Sequence, residues 1–443
     1  MPFSQRFKEA YYPIVSDKSE GAYLWDVDGN SYVDILMGLG CNILGHNPAP
    51  IREAIEERLE KGIQLGPQSE IAGEAATLWA ELTGHDRITF TNSGTEAVMT
   101  AVRIARAATG RRKIAVFTNS YHGHSDTWLF KAKRLEYLRR GALQRSESGP
   151  LKLLRPFLKR TMLTGAKPSF SGISASLGRD VLVLEYGNPR SLDIVRRNKN
   201  RLAAVLVEPV QSRMLELQPR EFLHELRKIT SEAGSALIFD EMISGFRVAQ
   251  GGAQAHFDVR ADIATYGKIA GGGLPLSLIA GTPRFMDHVD GGDWRFGDTS
   301  APAVPTTFFA GTYCRHPLCL TASLAMAKEL KSRGPKLQEQ LNSETNALVR
   351  NMNSALSNGG IPVKFTSFGS FFAVSGSESR MDPNASVLLS LMLLAQGVHM
   401  RPGDRGGFLS ASHGQRERDF IEGSFTSALA EINAAGLLSR VPE

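Results

Sequence analysis

One lysine interrupts a run of small and apolar residues, TYGKIAGGGLPLS, at positions 265–277. Lys268 lies just before three consecutive glycines, Gly271–Gly273, which permit backbone conformations that other residues avoid. The stretch could be an ordinary turn that happens to carry a lysine. It could also hold a reactive amine at the end of a strand, and such an amine forms Schiff bases with carbonyl compounds. Other motifs must decide between these interpretations.

Two acids end an apolar strand-like segment, ALIFDE, at positions 236–241. Asp240 and Glu241 would lie at the carboxyl end of that strand, where ligands bind in open α/β sheets. Acids there could bind magnesium in a nucleotide hydrolase, but the chain has no GxxxxGK[ST] loop. The stretch MGLGCNILG does not fit GxGxxG either, which argues against a Rossmann dehydrogenase.

Small and hydroxylic residues precede an amphipathic helical pattern in TNSGTEAVMTAVRIARAATG, residues 91–110. Ser93, Gly94 and Thr95 could simply cap this helix. The same arrangement offers free N–H groups, hydroxyls and the positive end of the helix dipole, which together bind phosphate. Both interpretations remain open for this stretch alone.

An aromatic residue and a histidine follow the strand-like segment KIAVF, in SYHGHSD at positions 120–126. Tyr121 offers a flat face for a planar ring, whereas His122 alone would more often be a loop residue. Pyridoxal phosphate needs a phosphate site, a ring sandwich, a carboxylate for its pyridine nitrogen and a lysine for its aldehyde. The joint occurrence of these four features predicts that cofactor.

The elements that must position these residues follow an alternating order. Residues 1–65 contain a predicted hairpin around DVDGN and are expected to join a small lobe. Residues 66–318 alternate helices with the strands KIAVF, LAAVLVEPV, ALIFDE and DIATYG, which predicts a mostly parallel sheet in a large domain. Residues 319–443 are expected to form a smaller α+β domain. The fold class is therefore α/β.

Composition narrows the class of protein. The 443 residues are 42% hydrophobic, and a formal net charge of +6 gives no general nucleic-acid signature. Cys41, Cys314 and Cys319 show no CxxC spacing, which argues against structural zinc and disulfides and favours a reducing cytoplasm. We find neither a signal peptide nor an apolar run long enough to span a bilayer.

A series of motifs resembles the class III, fold-type I pyridoxal-phosphate aminotransferases, in that family's order. The motifs are GAYLWDVDGNSYVD, NILGHNP, TNSGTEAVMTAVRIARAATGRRKIAVF, YHGHSD, LVEPVQ, LIFDEMISGFRVAQGGAQ, YGKIAGGG and FFAGTYCRHPL. The resemblance runs nearly end to end. The chain is similar to glutamate-1-semialdehyde aminomutase and, more closely, to aminotransferase modules of hybrid polyketide/nonribosomal-peptide assembly lines. The resemblance carries the implications that follow. It implies a seven-stranded sheet in the large domain.

The resemblance also implies roles for individual residues. Lys268 would form the Schiff base and carry protons, Asp240 would pair with the pyridine nitrogen, and Tyr121 would stack on the ring. Thr312 would reach the phosphate bound to a neighbouring subunit, so a homodimer is implied. The implied cofactor contacts are Ser93, Gly94, Thr95, Tyr121, His122, Glu208, Asp240, Met242, Lys268 and Thr312.

Three departures from the family pattern bear on the substrate. Met242 stands where relatives usually have valine against the ring. Arg213 stands five residues after Glu208, where relatives commonly have Glu or Asn, so it could meet a substrate carboxylate or carbonyl, or simply point outward. The aminomutase's N-terminal arginine stretch is absent, and Arg6 is the only arginine before Gly21. This argues against an aminomutase.

The expected reaction moves an amino group from an amino-acid donor to a ketone or aldehyde. Residues 131–170 hold eleven Lys or Arg and two Glu. They could dock an acidic carrier protein that presents a β-keto acyl thioester, form an amphipathic surface for a free lipid-like aldehyde or ketone, or merely be solvated. A 2,1-aminomutase and a non-catalytic protein on this scaffold remain alternatives, although Lys268 argues against the latter.

Overall fold

The computed structural model describes residues 14–132, 166–379, 381 and 383–438. Its strands are β1 (Ser16–Glu20), β2 (Tyr23–Asp26), β3 (Ser31–Asp34), β4 (Arg87–Thr91), β5 (Lys113–Phe117), β6 (Phe130–Ala132), β7 (Ala166–Pro168), β8 (Val181–Leu184), β9 (Leu202–Val207), β10 (Ala236–Asp240), β11 (Ile263–Tyr266), β12 (Ser277–Gly281), β13 (Phe365–Phe368), β14 (Phe371–Val374), β15 (Val398–His399) and β16 (Gly406–Phe408).

The helices alternate with these strands. They are α1 (Met37–Gly40), α2 (Ala49–Glu60), α3 (Ile71–Thr83), α4 (Gly94–Thr109), α5 (Pro189–Asn198), α6 (Arg220–Ala233), α7 (Gly252–Phe257), α8 (Pro283–Asp290), α9 (Pro317–Arg333), α10 (Lys336–Asn358), α11 (Pro383–Ala395) and α12 (Gln415–Ala434). Short 3₁₀ turns span Ala175–Asp180 and Lys268–Gly271.

The central sheet has seven strands among the described residues, in the order β4-β12-β11-β10-β9-β5-β8. Strands β5, β8, β9, β10 and β11 pair in parallel, and β12 runs antiparallel to its neighbours β11 and β4. The predicted mostly parallel sheet is therefore confirmed. Both β9 and β10 are buried along their whole length, as expected for strands covered on both faces.

A second assembly joins the two ends of the chain. The predicted hairpin around DVDGN is present as antiparallel β2 and β3, and β3 also pairs in parallel with β15. Strands β13, β14 and β16 form a further sheet packed against α10 and α12. The N-terminal segment thus shares a sheet with the C-terminal region, although the boundaries at about 65 and 318 stay predictions.

The predicted basic insertion lies mostly outside the described residues. The two ends of the insertion are described. There β6 and β7 pair antiparallel, with Lys131 opposite Lys167. Within the described part of the chain, no helix combines the length and apolar character needed to cross a membrane.

Candidate active site

The site lies where several strands of the central sheet end. Asp240 is the last residue of β10, and Glu208 directly follows β9. Lys268 comes two residues after β11, and Ser93 follows β4 by two residues. Because parallel strands end at one edge of a sheet, these side chains, predicted from separate motifs, come to the same edge.

The backbone at Lys268 has an uncommon conformation. Its φ angle is +47°, in the left-handed region that side-chain-bearing residues seldom adopt. A Cβ atom on the preceding Gly267 would lie 2.6 Å from Ser277 Oγ and 2.7 Å from Met242 Sδ. Gly272 has φ +59°, and its Cβ would lie 2.6 Å from the carbonyl of Ala322. The glycines therefore allow a tight turn that presents the lysine.

Asp240 and His122 form a buried pair. His122 Nδ1 lies 2.7 Å from Asp240 Oδ2, and the amide of Met242 donates to Asp240 Oδ1 at 3.2 Å. The pair couples the end of β10 to the loop after β5, so His122 fixes the orientation of the carboxylate. His122 Nε2 is buried and has no partner among the described residues.

Glu208 holds the loop that carries Tyr121. Its carboxylate accepts hydrogen bonds from the amides of Tyr121 at 2.8 Å and Ser212 at 3.3 Å. Burial raises the pKa of Glu208, and the nearby His122 opposes that shift. The Tyr121 side chain itself is 54% exposed and faces the cavity described below. The hydrogen bonds of Glu208 thus position a ring that remains accessible.

The N-terminus of α4 combines a cap with free amides. Ser93 Oγ accepts a hydrogen bond from the amide of Glu96 at 3.3 Å, so capping does occur. The amides of Gly94 and Thr95 are in the first turn and have no acceptor among the described residues. Thr95 Oγ1 lies 3.1 Å from His124 Nδ1, which ties this turn to the Tyr121 loop. Capping and an anion site therefore coexist.

Met242 lies between the two turns. A Cβ on Gly94 would lie 2.9 Å from Met242 Sδ, and a Cβ on Gly267 would lie 2.7 Å from the same atom. The methionine side chain is partly buried against the core that includes α4. It therefore bridges the α4 N-terminus and the lysine turn, as a residue beside a ring bound there would.

A cavity of about 650 Å³ opens beside Lys268. Its lining combines apolar side chains with charged ones. The apolar part is Ile35, Leu36, Leu39, Leu215, Ile243, Phe371, Val374 and Phe408, and the charged part is Arg213, Glu216, Lys268, Arg401, Asp404 and Arg405. Arg213 was predicted as a substrate contact, and it does line the cavity.

Several lining residues escaped the sequence analysis, and so did Arg247, which supports one wall. Arg247 is 2% exposed, donates to Ser370 Oγ at 2.6 Å and to the carbonyl of Gly40, and lies 4.8 Å from the centre of the Phe408 ring. Burial lowers its pKa to about 10. The clustered charges of MRPGDR, residues 400–405, were the available signal for Arg401 and Arg405.

Thr312 lies in an exposed segment between α8 and α9. Its neighbour Cys314 has Sγ 4.0 Å from Asn92 Nδ2, so the segment lies beside the α4 N-terminus of its own chain. The contact expected between Thr312 and a neighbouring subunit's phosphate involves a second chain and stays a prediction.

A family model described as Aminotransferase class-III matches residues 5–404. The chain belongs to the class III aminotransferases. This family works with pyridoxal 5'-phosphate, so the cofactor and the transaminase activity predicted from the sequence are confirmed.

Solved structures of class III enzymes share the fold. A transaminase with PLP bound is 27% identical with a TM-score of 0.80, over 98% of this chain and 93% of that one. An omega-transaminase from Sphaerobacter thermophilus is 27% identical with a TM-score of 0.79, over 95% and 92%. A glutamate-1-semialdehyde aminomutase from Pseudomonas aeruginosa PAO1 is 21% identical with a TM-score of 0.78, over 95% and 88%, a likeness in fold.

The residues present fit the class III cofactor. The unpaired amides of Gly94 and Thr95 suit a phosphate, and the buried Asp240 carboxylate suits a protonated ring nitrogen. The close approach of Gly94 and Gly267 to Met242 leaves room for no additional side chain on either glycine. Donor groups and steric limits therefore agree with a planar phosphorylated ring.

Proposed function

We propose that this class III aminotransferase transfers an amino group from an amino-acid donor to a ketone or aldehyde, with Lys268 and Asp240 as its principal catalytic residues. The observation that supports this most strongly is the position of Lys268, which faces the cavity from the same sheet edge as the buried Asp240–His122 pair. When bound, pyridoxal phosphate supplies an aldehyde for the amino group and a cationic ring that accepts electrons.

Each residue has a distinct task in this proposal. Asp240 holds a proton at the ring nitrogen, and His122 keeps the Asp240 carboxylate oriented through the 2.7 Å contact. Lys268 Nζ anchors the cofactor and carries the proton taken from the donor Cα. Tyr121 would cover one face of the ring, and Met242 would lie on the other side.

The phosphate would bind at the α4 N-terminus. The amides of Gly94 and Thr95 and the hydroxyls of Ser93 and Thr95 supply donors, and the helix dipole favours the negative charge. We infer that Glu208 contributes indirectly, because its described partners are the amides of Tyr121 and Ser212.

We propose that the enzyme works as a homodimer in the cytoplasm. Support for the dimer comes from exposed aromatic residues close to Thr312 in the chain, because Phe308 is 77% exposed and Tyr313 58% exposed. A second copy that covers these residues would bring Thr312 towards the neighbouring phosphate. The sparse cysteines support the reducing compartment.

For the acceptor we propose a β-keto acyl thioester carried on an acidic carrier protein. The excess of nine positive charges in residues 131–170 would steer an acidic partner, and the apolar lining of the cavity would bind an acyl chain. Rates with a carrier-bound substrate should then fall as salt concentration rises, whereas rates with a free ketone should not. Salt-independent rates with both substrates would favour a free lipid-like aldehyde or ketone.

The test of the transfer reaction compares Lys268→Ala with Lys228→Ala, whose lysine is exposed on α6. Borohydride reduction and peptide mass spectrometry should find the cofactor attached at Lys268 in the wild type and in Lys228→Ala. Lys268→Ala should show neither attachment nor turnover. Turnover at the wild-type rate in Lys268→Ala would disprove the assignment, and an amino group that stays within one molecule would indicate a mutase.

A further inference from the structure

Some charged side chains that line the cavity have hydrogen-bond partners in the protein, and others have none among the described residues. Arg401 donates to Asp404 Oδ1 from Nη2 at 2.7 Å and from Nε at 3.1 Å. Glu216 Oε1 accepts from the amide and the hydroxyl of Ser377, both at 3.1 Å. Arg401 is therefore engaged by an acid of its own segment, and Glu216 is held against the wall by hydroxyl and amide donors.

Arg213 lies on a loop whose backbone is well fixed. Glu208 accepts from the amide of Ser212 at 3.3 Å, and Gln211 Nε2 donates to the carbonyl of Thr118 at 2.8 Å. The Arg213 side chain is exposed into the cavity and has no hydrogen-bond or ion-pair partner in the described part of the chain. A fixed loop therefore presents a free guanidinium group.

Arg405 reaches the same cavity from the turn before β16. Its carbonyl accepts a hydrogen bond from the amide of Val374 at 2.9 Å, which fixes the backbone. Its side chain is half-buried, yet it also has no partner among residues 14–132, 166–379, 381 and 383–438. By contrast, the partly buried Arg111 donates to Ser235 Oγ at 3.0 Å and to the carbonyl of Ala233 at 2.8 Å.

An unpaired arginine in a cavity is unfavourable without an anion. The half-buried Arg405 guanidinium has lost part of its contact with water, and no acceptor among the described residues replaces it. Two such groups in one cavity also repel each other. Arg401 is paired with Asp404, and Lys268 is assigned to the cofactor. Among the described lining residues, Arg213 and Arg405 then face one remaining acid, Glu216, so the cavity favours an anionic ligand.

We propose that Arg213 and Arg405 form an anion subsite that binds an anionic oxygen group of the substrate, remote from the carbon that reacts. This rests on the proposed function, because it assigns the subsite to a substrate of the same cavity. The group is either the second carboxylate of a dicarboxylic amino donor or the phosphate of a carrier's prosthetic arm. Both offer the oxygen pairs that the guanidinium fork binds in two parallel hydrogen bonds.

The experiment measures binding to the cofactor-loaded enzyme by calorimetry. The variants are Arg213→Gln and Arg405→Gln, with Arg112→Gln as a control because Arg112 pairs with Asp180 on the surface and is 83% exposed. One arm compares glutarate with its uncharged diamide, glutaramide. The other arm compares 4'-phosphopantetheine with pantetheine.

Loss of either arginine should weaken binding of the relevant anion roughly ten- to a hundredfold, as expected for charge-assisted hydrogen bonds. Glutaramide and pantetheine should bind all variants within about twofold of the wild type. A loss confined to glutarate identifies the donor carboxylate, and a loss confined to 4'-phosphopantetheine identifies the prosthetic arm. Unchanged binding of both anions in both variants would overturn the subsite.

A kinetic measurement separates this subsite from the proposed reaction. The KM for glutamate or for the carrier-bound acceptor should rise in the variants, whereas the KM for glutamine should not. Equal losses for glutamate and glutamine would contradict an anion subsite. If the arginine-dependent binding is present but no donor transfers its amino group, the subsite stands and the proposed function fails.

Discussion

The two sides of the cavity differ in how their charged groups are held. On the side formed by the ends of β9 and β10, Glu208 and Asp240 are buried, and each accepts hydrogen bonds from neighbouring residues. On the other side, Arg213 and Arg405 have no partner within the described residues. The first side is complete before any substrate arrives, and the second acquires its partner with the substrate. Substitutions on the first side should therefore affect all substrates, and those on the second only some.

Replacement of Asp240 by Asn should cause the largest loss of activity of the substitutions that compare the two sides. The variant keeps the shape and the contact with His122 but removes the charge that holds a proton at the ring nitrogen. We expect kcat/KM to fall roughly 10²- to 10³-fold, the loss typical of one preorganised electrostatic partner. The measurement is kcat/KM for several donors and acceptors of different charge. A loss for one substrate class alone would erase the distinction between the two sides.

A substitution of Glu241, next to Asp240, tests whether every buried acid at the end of β10 contributes to catalysis. Its carboxylate accepts from the amides of Ala253 at 2.7 Å and Gln254 at 3.0 Å and from Ser244 Oγ at 2.8 Å, away from the cavity. Burial raises the pKa of Glu241 from 4.5 to about 7, more than these donors lower it. Its effect should therefore appear in stability.

The direction of that effect follows from proton binding. Between pH 4.5 and about 7, Glu241 keeps its proton in the folded state and loses it in the unfolded state. The raised pKa therefore adds to the free energy of unfolding below pH 4.5, and this contribution is lost as pH rises through about 7. The loss is about 3 kcal/mol. Because Glu241→Gln cannot titrate, the free energy of unfolding of the wild type minus that of Glu241→Gln should fall by this amount across the window. Denaturant titrations at several pH values measure it, and a constant difference would refute the prediction.

The cofactor side could be predicted from the sequence because its residues come from local motifs. Ser93, Tyr121, Asp240 and Lys268 each follow a strand-like segment within a few residues. The order of the strands then brings the segment ends to one edge. Short-range spacing and the rule for parallel sheets were therefore enough to predict the cofactor and the fold.

The substrate side could not be predicted in the same way. Arg213 and Arg405 are separated by nearly half the chain. They line one cavity because β16 pairs with β14 and because Glu216, in the loop after β9, accepts hydrogen bonds from Ser377 just after β14. Arg247 was not singled out from the sequence, and it is buried with hydrogen bonds to the carbonyl of Gly40 and to Ser370. Such long-range contacts leave no periodic signal in one sequence.

Substitution of His122, also on the cofactor side, should cause a smaller loss of activity than substitution of Asp240. His122→Phe would leave Asp240 Oδ2 without its 2.7 Å partner, and His122→Gln could restore a donor. We expect a loss of roughly 10- to 100-fold in kcat for the phenylalanine variant, the usual cost of losing a residue that orients a functional ligand. The glutamine variant should recover part of it.

The decisive measurement for His122 is spectroscopic. The pH dependence of the bound cofactor's absorbance should shift in His122→Phe, because the orientation of Asp240 governs the proton at the ring nitrogen. His122→Gln should lie between that variant and the wild type. An unchanged titration with an equal loss of thermal stability in both variants would mean that His122 only fills space.

Met242 should give the smallest effect, and it is the residue of the cofactor side that departs from the family. Met242→Val loses contacts with the α4 N-terminus and the lysine turn, near Gly94 and Gly267, without creating an unpaired charge. Apolar exchanges of similar volume cost less than about 1.5 kcal/mol, so cofactor affinity should fall by no more than about tenfold. Reconstitution of the apoenzyme with graded amounts of cofactor measures this affinity.

The matched control for Met242 is Met286→Val. Met286 is 3% exposed and packs against Gly281 in the same core, away from the cavity. Both variants should lower the melting temperature by similar amounts, because both remove buried thioether contacts. Only Met242→Val should weaken the cofactor, and it should do so for every substrate alike, since Met242 belongs to the side that is complete before substrate binds. Equal cofactor losses in the two variants would show that Met242 acts through the core and not through the ring.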